Sequence, residues 1–186
     1  VLRGTMRLKT ILNHGLNFKC FCIGKSEFND KKDSIIVEIK ARTNSKPVCS
    51  ICGTPSSGYD SLPERLFEFV PLWGLRVFFR YAMRRVSCPH CKRIVVEKVP
   101  WCDEKNHFTN HYAAFLASWA KELSWKSVAG HFHTSWQTVC AAVEWVVDYG
   151  LTHREIDSVT ALGVDEIAWH KGHKYLTLVY QINPGA

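Results

Sequence analysis

The chain has 186 residues, of which 46% are hydrophobic and 12% aromatic, and this composition predicts a folded protein of one domain or of two or three small ones. No apolar run approaches the ~18 residues of a membrane-spanning helix, and residues 1–15 lack the apolar core of a secretory signal, so the sequence predicts a cytoplasmic protein without a membrane partner. The net charge of +7 lies mainly in the first hundred residues. It favours a polyanionic partner such as nucleic acid, although a solvated basic surface explains the charge equally well.

The first half of the chain carries three segments with the pattern of β-strands. Residues 34–42 end in an alternation of apolar and charged side chains, and residues 66–70 and 76–86 flank a hairpin connection. Alternation in the last segment predicts a sheet with one apolar and one partly basic face. The apolar face holds Val77, Phe79 and Tyr81, and the basic face holds Arg76, Arg80 and Arg84.

Two C-x-x-C pairs, Cys49 with Cys52 and Cys88 with Cys91, are the strongest chemical signal. Two such knuckles supply the four thiolates of a tetrahedral, closed structural Zn²⁺ site, and residues 47–100 are predicted to form a zinc-binding domain. The alternative is a pair of unrelated redox or structural dithiols. The other four cysteines are scattered, as is usual in a reducing compartment, and are Cys20, Cys22, Cys102 and Cys140.

Residues 101–151 carry three predicted helices. Thr109 or Asn110 can cap the first, Ser124 the second and Ser135 the third, with a short turn at residues 133–134. Two short capped helices around a tight turn are typical of a helix-turn-helix that binds DNA. An ordinary three-helix packing unit is the alternative, and the negative charge of this segment favours it.

After residue 157 the pattern becomes that of two strands, residues 159–167 and 174–182, joined by a turn at residues 170–173. Asp165 and Glu166 lie in the first of these strands and must face opposite sides. A carboxylate among apolar neighbours needs a partner such as Mg²⁺, and a solvent-facing position on an edge strand is the alternative.

Three stretches of the chain resemble bacterial insertion-sequence transposases of the ISL-three type. They are the zinc module (residues 48–53, 84–91 and 97–100), the helical segment (residues 124–139) and the sequence L-G-V-D-E-I-A-W-H-K-G-H-K-Y-L-T-L-V-Y at residues 162–180. The resemblance implies a zinc-binding domain, a helix-turn-helix that binds the terminal inverted repeats of the element, and a DDE catalytic domain of RNase H-like fold. It also implies that Asp165 is the first of three carboxylates that hold two Mg²⁺ or Mn²⁺ ions.

The sequence thus predicts an α+β chain made of a zinc-bound β module, a three-helix unit and the first two strands of an RNase H-like domain. Residues 1–46 are a strand-containing segment, and residues 158–186 are the incomplete start of the catalytic domain. Because the second and third carboxylates have no counterpart here, the chain is expected to bind zinc and double-stranded DNA without cutting strands, and a homo-oligomer is a candidate assembly. A zinc-stapled DNA-binding regulator or repressor and a nonfunctional remnant are the alternatives. The predicted DNA contacts are Ser135, Trp136, Gln137, Thr138, Arg76, Arg80, Arg84 and Arg85.

Overall fold

A computed structural model describes residues 7–103, 106–154, 159–170, 172 and 174–182. The chain divides into two compact units, of which the first ends at Val147 and the second begins at Asp148. The predicted α+β class is confirmed. The elements are α1 (Leu8–Leu16), β1 (Phe21–Phe28), β2 (Ser34–Ala41), β3 (Ser57–Leu72), β4 (Leu75–Cys88), β5 (Arg93–Val96), α2 (Asn110–Ala120), α3 (Trp125–His131), α4 (Trp136–Thr152), β6 (Leu162–His170) and β7 (Lys174–Gln181).

The first unit is built on a mixed five-stranded sheet. The strand order is β1-β2-β4-β3, and β5 also pairs with β4. Strand β3 pairs with one edge of β4, and strands β2 and β5 both pair with the other edge. Strand β2 runs parallel to β4, and β5 runs antiparallel to it. The predicted strands 34–42, 66–70 and 76–86 are confirmed, but β3 begins nine residues earlier than predicted, at Ser57. Residues 57–65 have no apolar alternation, and their strand form follows from pairing with β4.

The β3–β4 hairpin turns at Trp73 and Gly74, between the paired residues Leu72 and Leu75. Both turn residues have positive φ angles, 50° and 80°. This is the type I′ pattern, whose twist matches that of the flanking strands. The predicted hairpin connection between these two strands is therefore confirmed, and its turn consists of two residues.

The core of the sheet surrounds Trp101, whose side chain is fully buried. The rings of Phe21, Phe67 and Tyr81 meet it edge-on at centroid distances of 4.8 to 6.3 Å. Alternate residues of β4 complete this core, as the sequence pattern predicts. Because β1 and β2 belong to the same sheet and core as β4, the predicted boundary at residue 46 falls inside one sheet.

Helices α2, α3 and α4 form a second apolar cluster. Each predicted serine or threonine cap is present: Thr109 accepts a hydrogen bond from the Tyr112 amide, and Ser124 and Ser135 accept from the amide three residues on, at 3.1–3.2 Å. Helix α4, the last of the three predicted helices, ends at Thr152. None of the described helices is long and apolar enough to cross a membrane.

The described strands of the second unit, β6 and β7, form an antiparallel pair. Gly163 lies under the ring of Tyr180, where a Cβ atom would approach the ring carbons to 2.5 Å. Every described side chain of β7 is exposed. The predicted turn at residues 170–173 includes Lys171 and His173, which lie outside the described residues.

Candidate metal centre and nucleic-acid interface

The four cysteines of the two knuckles come together at one end of the sheet. Their Sγ atoms all lie within 4.8 Å of one another, with 3.9 Å between Cys49 and Cys91 and 3.6 Å between Cys52 and Cys88. A tetrahedral ion with metal–sulfur bonds of about 2.3 Å would separate its ligands by about 3.8 Å. The four cysteines can therefore hold a metal ion, and their spacing is that of a tetrahedral thiolate site.

The two knuckles share one backbone feature. The residue after each knuckle has a positive φ, 72° at Gly53 and 52° at Lys92. In the first knuckle the Gly53 amide donates to the Cys49 carbonyl at 2.9 Å. In the second, the Cys91 amide lies 3.4 Å from the Sγ atom of Cys88 and donates to it. Local turns thus orient each pair of sulfurs towards the other pair.

The thiols affect one another's ionisation strongly. The Thr54 hydroxyl lies 3.3 Å from the Sγ atom of Cys52, and its hydrogen bond, with that of the Thr54 amide, lowers the pKa of Cys52 to about 6. A hydrogen bond with Cys52, together with burial, raises the pKa of Cys91 to about 12. Thiolates this close repel one another, so ionisation of all four needs a bound cation.

Glu97 is the most important neighbour of this centre, and its role was not predicted from the sequence. Its side chain is fully buried, and the residue forms a β-bridge with Cys49. The carboxylate accepts hydrogen bonds from the Tyr81 hydroxyl at 2.6 Å and from the Arg84 guanidinium at 2.6 and 2.9 Å. The signal in the sequence is a single acid in the run I-V-V-E-K-V that follows an arginine-rich strand.

Arg84 does not share the exposed face of β4, contrary to the strand pattern. The alternation of burial breaks at Arg84 and Arg85, which are both half-buried. The Arg84 guanidinium lies over the ring of Phe21, at 5.8 Å from its centroid, and pairs with Glu97. The physical reason is that a buried carboxylate needs a counter-charge, and Arg84 is the cation that supplies it.

The other three arginines predicted to contact DNA also have carboxylate partners. Arg76 pairs with Glu68 at 2.9 Å and Arg80 with Glu27 at 3.1 Å. The Nε atom of Arg85 donates to Asp60 at 2.6 Å. A phosphate at any of these arginines would have to compete with a carboxylate that is already in place.

The predicted contacts at the start of α4 fall into two groups. The hydroxyl oxygens of Ser135 and Thr138 lie 2.9 Å apart. The Ser135 oxygen also accepts a hydrogen bond from the Thr138 amide, so both side chains belong to the helix cap. Trp136 is 54% exposed, and Gln137 is exposed as well. Of these four residues, only Trp136 and Gln137 have exposed side chains that do not belong to the helix cap.

Asp165 lies in β6, opposite Leu178. It is exposed and accepts a hydrogen bond from the amide of Glu166 at 2.8 Å. Within the described ranges the four cysteines are the only close group of three or more metal-ligating side chains, so no such group forms around Asp165.

Comparison with known proteins gives one consistent result. No protein-family model and no solved structure matches the chain. The chain is 31% identical over 159 residues, 81% of its length, to the transposase for insertion sequence element IS1557 of Mycobacterium tuberculosis. It is 24% identical over 132 residues, 71% of its length, to the transposase for insertion sequence element IS1001 of Bordetella parapertussis.

The chain is similar to insertion-sequence transposases. It spans about one third of the length of these curated relatives, 34% of the first and 32% of the second. The similarity therefore relates this chain to about one third of such a protein.

Proposed function

We propose that this chain is the DNA-recognition part of an insertion-sequence transposase of the ISL-three type, and that it binds the terminal inverted repeats of its element. The observation that carries the proposal is the similarity to two transposases over 71% and 81% of the chain. We place its action on chromosomal DNA, in the bacterial cytoplasm at the nucleoid. Binding at both ends of an element would suit a homo-oligomer.

We propose that the metal of the four-cysteine centre is Zn²⁺ with a structural role. Thiolate ligands favour zinc among the common divalent ions, and four protein ligands leave no position for a substrate. The sulfur spacings of 3.6 and 3.9 Å support this assignment.

We propose that α3 and α4 act as a helix-turn-helix whose second helix enters the major groove. The tight turn and the capped start of α4 support this assignment. The Gln137 amide is exposed at that start, and an amide of this kind can form two hydrogen bonds with adenine.

Gln137→Ala is expected to weaken binding to a duplex selected from a randomised library about tenfold or more, because it removes contacts to a base. Binding to an unrelated duplex should change little. Lys126→Ala is the control, since loss of an exposed lysine of α3 should weaken both interactions alike. Both affinities are measured by fluorescence anisotropy at one fixed salt concentration. Equal losses of specific and nonspecific affinity in Gln137→Ala would exclude this residue from base readout.

We propose that β6 and β7 are the first two strands of an RNase H-like catalytic domain in which Asp165 binds a divalent ion. The apolar side chains exposed on both faces of this strand pair support the proposal, because such a pair needs further layers to cover it. Metal-assisted strand cleavage would need two more carboxylates at Asp165.

The 186-residue chain incubated with Mg²⁺ or Mn²⁺ is therefore expected to leave supercoiled DNA uncut, as seen on agarose gels. Nicking that disappears in Asp165→Ala would contradict this expectation and show that the residues given are sufficient for catalysis. Sequence-specific binding without nicking is also the behaviour of a repressor, the second candidate. A longer reading frame that supplies the two further carboxylates, and whose product cuts element ends, would decide for the transposase.

A further inference from the structure

A groove of about 450 Å³ lies beside the metal centre. Most of its lining comes from three segments and their ends, which are the α1–β1 connection, the β2–β3 connection and the residues that follow β5, and Arg84 of β4 and His111 of α2 complete it. Its lining is mainly apolar and includes Phe18, Phe21 and Val99. Each of the three segments adds one lysine, and these are Lys19, Lys46 and Lys98.

The charges of this groove differ in availability from those on the face of β4 that carries Arg76 and Arg80, which we call the arginine face. All three lysines are exposed, and within the described part of the chain none of them forms an ion pair. The carboxylate of Glu97 also lines the groove, but it is neutralised by Arg84. Burial lowers the pKa of His111, a further lining residue, so its imidazole is neutral at pH 7. The available charge of the groove is therefore that of the three lysines.

The metal centre fixes the position of two of these lysines. The amide of Lys98 donates to the carbonyl of Val48 at 2.8 Å, directly before the first metal-ligating cysteine. Lys46 precedes Val48 by two residues, and Lys98 directly follows Glu97, which forms a bridge with Cys49. A folded metal centre thus holds both lysines at one groove.

We propose that this groove, rather than the arginine face of β4, binds the sugar–phosphate backbone of one DNA strand. An ammonium group without a carboxylate partner can neutralise a phosphate and release counterions from the DNA, and no existing ion pair has to be broken first. The apolar lining suits the deoxyribose rings between the phosphates. The inference rests on the proposed function, because it names the surface by which the DNA-recognition part contacts the backbone.

The test is the salt dependence of DNA binding by the metal-loaded chain. Each phosphate contact adds about 0.9 to the slope of log affinity against log salt concentration. The triple variant Lys19→Gln, Lys46→Gln and Lys98→Gln is expected to lower this slope by about 2 to 3. The matched control is Lys25→Gln, Lys31→Gln and Lys32→Gln, which removes the same charge from three exposed lysines of β1 and the β1–β2 turn.

An unchanged slope in the groove variant, or an equal loss in the control, would overturn the inference while leaving DNA binding itself intact. Failure of the unmodified chain to bind any duplex would instead overturn the proposed function. A third variant, Arg76→Gln with Arg80→Gln, distinguishes the groove from the arginine face of β4. It is expected to leave the slope nearly unchanged, and a larger loss than in the groove variant would assign the backbone to the arginine face.

Discussion

Removal of the metal from the four-cysteine centre is expected to unfold the sheet of the first unit. The centre joins the loop before β3 to the end of β4, and Glu97 connects it to the core around Tyr81. Without a cation the four sulfurs cannot all be thiolates, because close negative charges repel one another, and the closed arrangement loses the interaction that holds the two knuckles together. In small structural sites of this kind the free energy of metal binding is largely free energy of folding.

The measurement is circular dichroism and tryptophan emission in the presence of a strong chelator. The β-sheet signal is expected to be lost and the emission to shift to the red, because Trp101 at the centre of the core becomes hydrated. Addition of Zn²⁺ should restore both signals. Helices α2–α4 have their own apolar cluster, so most of the helical signal should remain.

Cys88→Ser is expected to reproduce the effect of the chelator without any chelator present. Cys20→Ser is the matched control, since Cys20 is an exposed thiol of the same unit that lies outside the four-cysteine group. A spectrum unchanged by chelation, in a chain shown by elemental analysis to have lost its metal, would contradict the structural role of the ion.

The second large effect is expected from Glu97→Ala. This change leaves the Arg84 guanidinium and the Tyr81 hydroxyl without the buried acceptor that they share. An uncompensated buried charge of this kind costs about 3–5 kcal/mol, and we expect the lower end because the Arg84 side chain is 19% exposed and can regain some water. The free energy of unfolding, measured by urea titration of the metal-loaded protein, should fall accordingly.

Asp60→Ala is the control for this experiment. Arg84 and Arg85 are adjacent in β4, and both pair with a carboxylate, but the Asp60 pair lies at the surface. Surface pairs add little to stability, so the urea midpoint of Asp60→Ala should remain close to that of the unmodified protein. The urea midpoint of Glu97→Gln should lie between those of the two alanine variants, because the amide oxygen can still accept one of the hydrogen bonds. Equal effects of Glu97→Ala and Asp60→Ala would show that Glu97 does not hold the sheet to the metal centre.

Several features could be predicted because their causes are local. The knuckles follow from cysteine spacing and from one residue with positive φ after each pair. The helix starts follow from Thr109, Ser124 and Ser135, whose side chains bond to amides within the next turn. The hairpin follows from the break at residues 71–74 between two apolar strands, which the structure narrows to a turn at Trp73 and Gly74.

Other features could not be predicted because the partners are distant in the chain. Arg80 pairs with Glu27, 53 positions away, and this ion pair requires β1, β2 and β4 to form one sheet. The parallel pairing of β2 with β4, which merges residues 1–46 with the zinc module, has no signature in either strand alone. The strand form of residues 57–65 likewise comes from their partner β4.

The sequence by itself determined which four cysteines come close enough to hold a metal ion, where the helices begin and which strand is amphipathic, since spacing and short-range hydrogen bonds decide these features. The tertiary structure decided which charges are available. Four arginines of β4 that were predicted to contact DNA have carboxylate partners, whereas three lysines from separate loops lie at one groove without an ion-pair partner among the described residues. The reason is that the availability of a charge depends on the groups that folding brings beside it, and those groups come from all parts of the chain.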